Sequence, residues 1–567
     1  MLDKDLLSIQ EVRTKVAKAH AAWQQFRTFS QAQVDAVVEQ MAAAARANAR
    51  RLAEMAVEET GYGNAPDKYI KNLLASDLLP RRMRGMKTVG VVRELADEKI
   101  VEIAVPVGVV AAILPTTNPT STAIYKVLIS LKAGNGVVVS PHPRAHRCTC
   151  ATTGVLAQAA AEAGAPEGII QCVDNATLEG TGALMKHELI GVILATGGTG
   201  IVKAAYSSGK PAFGVGPGNV PVLMDTSADL DEAVRKVIAG KSFDYGTVCS
   251  SEQALVAETS LRERILALLR QNRAHLCTEA QALALSKLLV TANWSINPQC
   301  VGQAPAKLAR MAGFEVPEST SILCAEIGGV GKQHPLSMEK LSPVLALYFV
   351  KDFPAALDAC HALLKFGGLG HTAAIYARDD ARIREYGLRV PAMRVLVNTP
   401  TPQGSTGITT NVFPSMTLGC GAAAGNITSD NIGPQHLINL KRLAYAVREP
   451  EQAFEMPLRM AAAPVDGAVT AVDRSAVAAA VERYLAARGI ATAPKASPGL
   501  SCSCSAGSGA GSSHSTVSEP IAVNQAVIAN IAAEVVDRFL ANRGSARSRV
   551  SPQPAPNAGS DSPGGYG

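Results

Sequence analysis

The sequence predicts an α/β protein of more than one domain, built on parallel sheets that are buried on both faces. Short continuous runs of Val, Ile, Leu and Ala, at 107–114, 136–140 and 190–195, alternate with Ala-rich stretches of helical length such as 151–163. That is the pattern of strands covered on both sides by crossover helices. The same alternation returns between about 233 and 432, where strands are expected at 344–350, 372–376 and 395–398. A chain of 567 residues, 47% hydrophobic and 18% charged, is long enough to bury a core in each of two such domains.

In chain order, residues 9–74 come first. They repeat Ala, Val, Leu and Met three and four positions apart between Glu, Arg and Gln, which predicts leading amphipathic helices. The first α/β domain is expected to close near residue 232, the second to occupy 233–432, and 433–465 to return to the first. Beyond about 460 the composition shifts to Ala, Ser, Gly and Pro. This predicts a linker over 466–520, low in complexity at 494–516 and carrying a short amphipathic stretch at 472–485, and a disordered end over 546–567. Between them, Val527, Ile528, Ile531, Val535, Phe539 and Leu540 fall at helical spacing, with Asn530, Glu534, Asp537 and Arg538 in the gaps. An amphipathic helix at 521–545 is therefore expected, tethered apart from the core and stabilised by docking on something.

Several function classes are disfavoured. The net charge of +6 is spread along the chain without the basic stripes of a nucleic-acid groove. The longest apolar run, 103–114, is broken by Pro106 and too short to span a bilayer, and the first twenty residues alternate charge with Leu and Val. Eleven irregularly spaced cysteines suggest a reducing cytoplasm rather than a disulfide scaffold. His142, His146, Cys148 and Cys150 lie within nine residues but lack the second pair that zinc sites favour, so no metal is expected. Cys502 and Cys504 read as solvated linker residues. Gly328-Gly329-Val330-Gly331-Lys332 lacks the Ser or Thr of a phosphate loop.

The chemistry concentrates around Cys249. In segment 240–253, Gly246 and small residues leave the sulfur accessible, as a nucleophilic thiol requires. This segment resembles the nucleophile motif of CoA-acylating aldehyde dehydrogenases, and other motifs of that family follow in order over about residues 1–450. Segment 113–119 resembles the loop presenting an oxyanion-stabilising Asn, here Asn118. Segment 134–143 resembles the strand and turn on which the nucleotide lies, 195–200 the pyrophosphate loop, and 210–219 the glycine-rich border of the site. Segment 339–344 resembles the one whose Glu, here Glu339, holds the nicotinamide ribose; 368–372 and 414–421 complete the set. The resemblance implies two Rossmann-like domains with a small oligomerisation element, a strand near 443–448 joining copies, and NAD and coenzyme A as cofactor and co-substrate. It implies Cys249, Asn118 and His371 as catalytic. Thr116, Thr117, Ser140, Pro141, His142, Thr196, Gly197, Gly198, Gly216, Glu339 and Pro343 are implied in cofactor binding.

The residue chemistry agrees. A Cys249 thiolate would add to an aldehyde carbonyl, with Asn118 and a backbone N–H holding the oxyanion; hydride would leave to NAD and a thioester would remain. Hydrolytic relatives place a general-base Glu ahead of the glycine pair, where this chain has Gly214, and a Lys where it has Ser140. Without that base, water is a poor acceptor and the CoA thiol is favoured. His371 would take the thiol proton, or alternatively fix a loop by hydrogen bonding. The expected product is an acyl-CoA from propionaldehyde or acetaldehyde. A hydrolytic enzyme and a non-catalytic scaffold are the alternatives. The helix at 523–543 resembles the encapsulation peptides that fasten enzymes inside bacterial microcompartments, which implies a bacterial cytoplasmic protein, shell or cargo partners and a microcompartment lumen.

Overall fold

The computed structural model describes residues 3–454 and 474–487. Residues 1–447 form one compact unit and 448–567 a second. Of the second unit, the helix Arg474–Ala487 is described and falls on the amphipathic stretch expected at 472–485. The expected helix at 521–545, the disordered end and Cys502 and Cys504 lie outside the described residues. No described helix is long and apolar enough to cross a membrane.

The leading segment folds as helices α1 (Lys4–Phe26), α2 (Gln31–Ala47), α3 (Ala49–Thr60) and α4 (Ala65–Leu73), then a π-helical turn Leu74–Leu78 and α5 (Leu79–Met83). Caps explain the breaks. Ser30 and Gln33 form a capping box on α2, Gly61 ends α3 in the left-handed region (φ 67), and Asn64 caps α4. Val34, Val37, Val38, Met41 and Ala45 form the buried stripe of α2, the three-and-four spacing made physical.

Strands β1 (Gly90–Leu95) and β2 (Ile100–Pro106) precede the first parallel sheet. That sheet is assembled from β3 (Val109–Ile113), α6 (Pro119–Lys132), β4 (Gly136–Ser140), α7 (His146–Glu162), β5 (Ile170–Cys172), α8 (Leu178–Lys186), β6 (Ile190–Thr196), α9 (Thr199–Tyr206) and β7 (Ala212–Val215). Its order is β5-β4-β3-β6-β7, so the chain reverses direction between β3 and β6. Crevices beyond the carboxyl ends of strands at such a switch point bind ligands. All fourteen residues of α6 are buried, including Lys126, whose Nζ donates to the carbonyls of Ile113 (2.7 Å) and Leu194 (2.8 Å). Burial pushes its pKa well down. Lys126 thereby ties the ends of β3 and β6 together beneath the switch point.

The second sheet takes β8 (Val220–Met224), β9 (Glu252–Glu258, reached through α10, Leu230–Ser242), β10 (Ala274–Leu276), β11 (Ile322–Glu326), β12 (Val344–Val350), β13 (Ala373–Tyr376) and β14 (Val395–Val397), in the order β10-β11-β12-β9-β8-β13-β14. The change of sheet falls between Val215 and Val220, so β8 joins the second sheet ahead of the boundary expected at 232. Only Gly216-Pro217-Gly218-Asn219 separates β7 from β8, too little to register as a composition change. The returning strand β15 (Ile438–Ala444) pairs antiparallel with β2, Ile438 opposite Pro106 and Ala444 opposite Ile100. It therefore lies earlier than the expected 443–448, because β2 begins at Ile100 and the ladder ends there.

Candidate active site

A cavity of about 430 Å³ opens at the carboxyl ends of the first sheet. Thr116, Thr117 and Asn118 follow β3, Ser140, Pro141 and His142 end β4, Thr196, Gly197 and Gly198 end β6, and Gly216 follows β7; all line it. Cys249 and Glu339, from the loops before β9 and β12, line it as well. His371 and Pro343 do not. Leu341 takes a left-handed conformation (φ 45) and faces the cavity with Glu339, whereas Pro343 turns into the sheet, its carbonyl accepting from Leu323 N (2.9 Å).

Cys249 is delivered by a strained turn. Asp244 (φ 47), Tyr245 (φ 50) and Gly246 (φ 72) are consecutively left-handed, and a Cβ on Gly246 would lie 2.7 Å from the carbonyl oxygen of Ser342. Such a turn persists only where its surroundings over-determine it. Here the buried Asp244 carboxylate does so: Oδ1 accepts from Asn64 N (2.9 Å), and Oδ2 from Lys68 Nζ (3.0 Å), Thr247 Oγ1 (2.5 Å) and Lys71 Nζ. Burial pushes the Asp244 pKa up, but the two lysines outweigh it and hold the group below its ordinary value. Lys71, buried and beside a second cation as well as Asp244, is lowered to about 8.

The same lysines reach the loop after β3. Lys68 Nζ donates to the Thr117 carbonyl (2.9 Å) and Lys71 Nζ to Asn118 Oδ1 (2.5 Å). An ammonium only donates, so Asn118 must present its oxygen to Lys71 and its NH2 to the other side. That NH2 rests on Thr117 Oγ1 (3.0 Å), and Asn118 lines the cavity. Lys68, Lys71, Asp244 and Thr247 were not singled out from the sequence. The available signal was two lysines at i,i+3 on one face of the helical stretch 65–73.

Burial pushes the Cys249 thiol up to about 12; Glu339 and Cys420 add to the shift and Arg394 opposes it. The resting sulfur is therefore protonated at neutral pH and needs a base. Glu339 is pushed up to about 7, chiefly by burial, and its Oε1 accepts from Gly218 N (3.0 Å). A carboxyl poised there suits proton transfer at neutral pH. His371 is fully buried behind Gly218: a Cβ at 218 would lie 2.3 Å from the Cys249 carbonyl oxygen and 3.0 Å from His371 Nδ1. Nδ1 shares a hydrogen bond with Thr372 Oγ1 (2.9 Å), Nε2 has no partner among the described residues, and burial lowers the pKa to about 3. Arg394, another residue not singled out, is buried and donates to the carbonyls of His371 (2.7 Å), Gly419 and Ser429 (3.1 Å), tying the 418–421 loop to His371.

At the end of β6, Gly198 caps α9 without a side-chain acceptor, leaving the first-turn N–H groups free to meet a phosphate. Among the described residues, no Lys or Arg lines the cavity. Gly214 sits in β7 under α9: a Cβ there would lie 2.8 Å from Val202 Cγ1 and 2.9 Å from Tyr206 Cε2, so a larger side chain cannot be seated unless these two side chains give way.

Comparison with known proteins gives matching relatives. The aldehyde dehydrogenase family profile matches residues 6–283. The bifunctional aldehyde-alcohol dehydrogenase of Escherichia coli is 43% identical over 443 residues, 77% of this chain and 50% of that protein; this chain thus spans about half the length of that relative. A crystal structure of an acetylating aldehyde dehydrogenase from Geobacillus thermoglucosidasius is 49% identical with a TM-score of 0.78, covering 79% of this chain and 99% of that one. A propionaldehyde dehydrogenase from the fucose utilisation microcompartment of Clostridium phytofermentans is 28% identical, with a TM-score of 0.70 over 76% of this chain and 97% of that one.

Proposed function

The chain belongs to the aldehyde dehydrogenase family, and from that premise we propose that it is a CoA-acylating oxidoreductase converting a short aliphatic aldehyde to its acyl-CoA. The observation that carries this reading is the meeting of Cys249, Asn118 and Glu339 in one cavity at the switch point.

The thiol proton of Cys249 passes to the Glu339 carboxylate as Sγ bonds to the aldehyde carbon, and Asn118 Nδ2 donates to the oxygen as it gains charge. The first-turn N–H groups of α9 would hold the pyrophosphate of a dinucleotide, which would supply the hydride acceptor. Loss of hydride leaves a thioester on Cys249. The CoA sulfur then attacks that carbonyl, the Cys249 sulfur leaves as thiolate and is reprotonated, and acyl-CoA is released. The CoA sulfur enters as its thiolate, its proton lost to solvent, and we assign His371 the other role open to it, fixing the loop behind Gly218 through Thr372, since its ring lies outside the cavity and burial lowers its pKa to about 3. Pro343 acts in cofactor binding by shaping the turn that carries Glu339. Transfer to CoA rather than water is supported by Gly214, since the space a general-base side chain would need is filled by Val202 and Tyr206.

A lining without Lys or Arg among the described residues supports NAD over NADP, because a 2′-phosphate would find no cation among them. It also supports an aldehyde without a second anionic group, and we read propionaldehyde or acetaldehyde as the substrate. The tail at 523–543 and the microcompartment relative support encapsulation. An exposed apolar set on the small sheet, Val91, Leu440 and Leu443, supports a homo-oligomer joined through β15.

The test is NADH production from propanal by purified protein with and without CoA, with assay of propionyl-CoA. CoA-dependent turnover giving the thioester is expected. NADH formed equally without CoA, with propionate as product, would overturn the acylating reading.

A further inference from the structure

The four metal-type residues clustered in the sequence disperse in the fold. His142 faces the cavity and Cys148 is buried beside Ala145 and Ala56. His146 and Cys150, one turn apart on α7, instead meet two residues from the end of β5, Cys172 and Asp174. Cys150 Sγ lies 3.4 Å from His146 Nε2, 2.8 Å from Cys172 Sγ and 3.8 Å from Asp174 Oδ1. The His146, Cys150 and Asp174 donor atoms all fall within 4.8 Å of one another. Donors around a tetrahedral zinc, at about 2.0–2.3 Å from the ion, stand roughly 3.4–3.8 Å apart. The His146 and Asp174 distances from Cys150 already match this; Cys172, in contact with Cys150, would have to swing toward the other two donors to complete the set.

We propose that His146, Cys150, Cys172 and Asp174 form a site for one divalent cation of the zinc type, separate from the catalytic cavity. The helix pair has a spacing that structural zinc sites use, three residues between two ligands on one turn, and Cys172 and Asp174 at the end of β5 would close the set. Outer contacts already orient it. Lys15 Nζ holds Asp174 Oδ2 (2.9 Å), leaving Oδ1 toward Cys150, and Glu11 accepts from the backbone N–H groups of Asp174 (2.6 Å) and Asn175 (2.9 Å). Binding releases both thiol protons to solvent; two thiolates and a carboxylate then balance the ion together with Lys15. The ion would pin the start of α7, which directly follows the cavity turn Ser140–Pro143, to the edge strand β5.

The test uses the full reduced chain, stripped of metal, in a Cys249→Ser background so that the nucleophile binds nothing. Titration with Co2+ is expected to give one equivalent with tetrahedral d–d bands and thiolate-to-cobalt absorption, lost in Cys150→Ser and in Cys172→Ser. Zn2+ should raise Tm in the parent and not in these variants. Each serine variant made with Cys249 intact should retain aldehyde turnover, showing that the fold survives. The same cobalt spectrum in Cys172→Ser, an octahedral spectrum, or no uptake would overturn the site. So would a non-reducing mass showing Cys150 and Cys172 joined as a disulfide that takes up no cation.

Discussion

Asn118 meets the cavity with its amide already turned, because Lys71 claims the oxygen. Removing an oxyanion donor outright costs about 10²–10³ in kcat, and a residue that only aims the donor should cost less. Lys71→Met is expected to lower kcat on the order of tenfold to a hundredfold while leaving the KM for NAD unchanged, read by steady-state kinetics; an unchanged kcat would remove Lys71 from the machinery. Asp244 keeps Lys68 as its partner in that variant, so the turn retains one ion pair. Glu339 gives a second prediction, of opposite character. Its pKa lies above the ordinary carboxylate value of 4.5, at about 7, because burial penalises the charge. The folded protein thus binds this proton more tightly than the unfolded chain. The associated stability is fully present below about 4.5 and is lost as pH rises through about 7, to a total on the order of 3 kcal/mol. Glu339→Gln removes that loss, so its Tm relative to wild type should rise between about pH 5 and about pH 8. Glu252, also pushed up to about 7 by burial, is present in both proteins and cancels in the difference. A constant Tm difference across that range would contradict the assigned proton affinity.

At the scale of elements, the turn before β9 is where local strain and tertiary contacts meet. Gly246→Ala places a methyl group 2.7 Å from the Ser342 carbonyl oxygen in a left-handed conformation. A loss of about 1–3 kcal/mol is expected from the strain alone, seen in chemical denaturation, with turnover falling further than stability because Cys249 shifts. Stability equal to wild type would mean that the turn relaxes freely. How much of this was legible in the sequence follows from what each element rests on. The runs 136–140 and 344–350 coincide with β4 and β12, because a strand buried on both faces writes its burial as an unbroken apolar run. The cavity residues from Thr116 to Gly216 were legible through their motifs, each sitting at a strand's carboxyl end. β15 was placed late because it is largely exposed and its register is set by a strand more than three hundred residues earlier. The Lys68, Lys71 and Asp244 network was not legible for the same reason: its partners are 176 and 173 residues apart, and a lysine on an amphipathic helix reads as solvated until the fold buries it. His371 was legible as a residue of interest. Its burial behind Gly218, with a pKa of about 3, depends on how close two loops approach, which spacing along the chain does not encode.

For the whole molecule, the question is what the residues beyond the compact unit ending at 447 contribute. Every described residue lining the cavity that holds Cys249 falls between Tyr62 and Leu418, and Lys68, Lys71, Asp244, His371 and Arg394 lie inside the same unit. Chemistry should therefore not depend on the tail. The sequence 523–543 spaces its apolar residues at the helical period after a Ser- and Gly-rich stretch, and a helix formed on that spacing would gain stability by covering its apolar side against a partner. Short aldehydes diffuse freely and react with amines, so an enzyme that makes or consumes them benefits from enclosure with their source. Deleting residues 516–567 is expected to leave CoA-dependent turnover of propanal at the wild-type value per subunit. On co-expression with microcompartment shell proteins, it should abolish co-sedimentation with intact shells and protection from added protease. Fusing 516–567 to a fluorescent protein should confer both properties on that cargo. Normal packaging of the shortened chain would assign the shell contact to the compact unit. Reduced turnover of the shortened chain in dilute solution would instead show that the tail serves the enzyme's own fold or assembly.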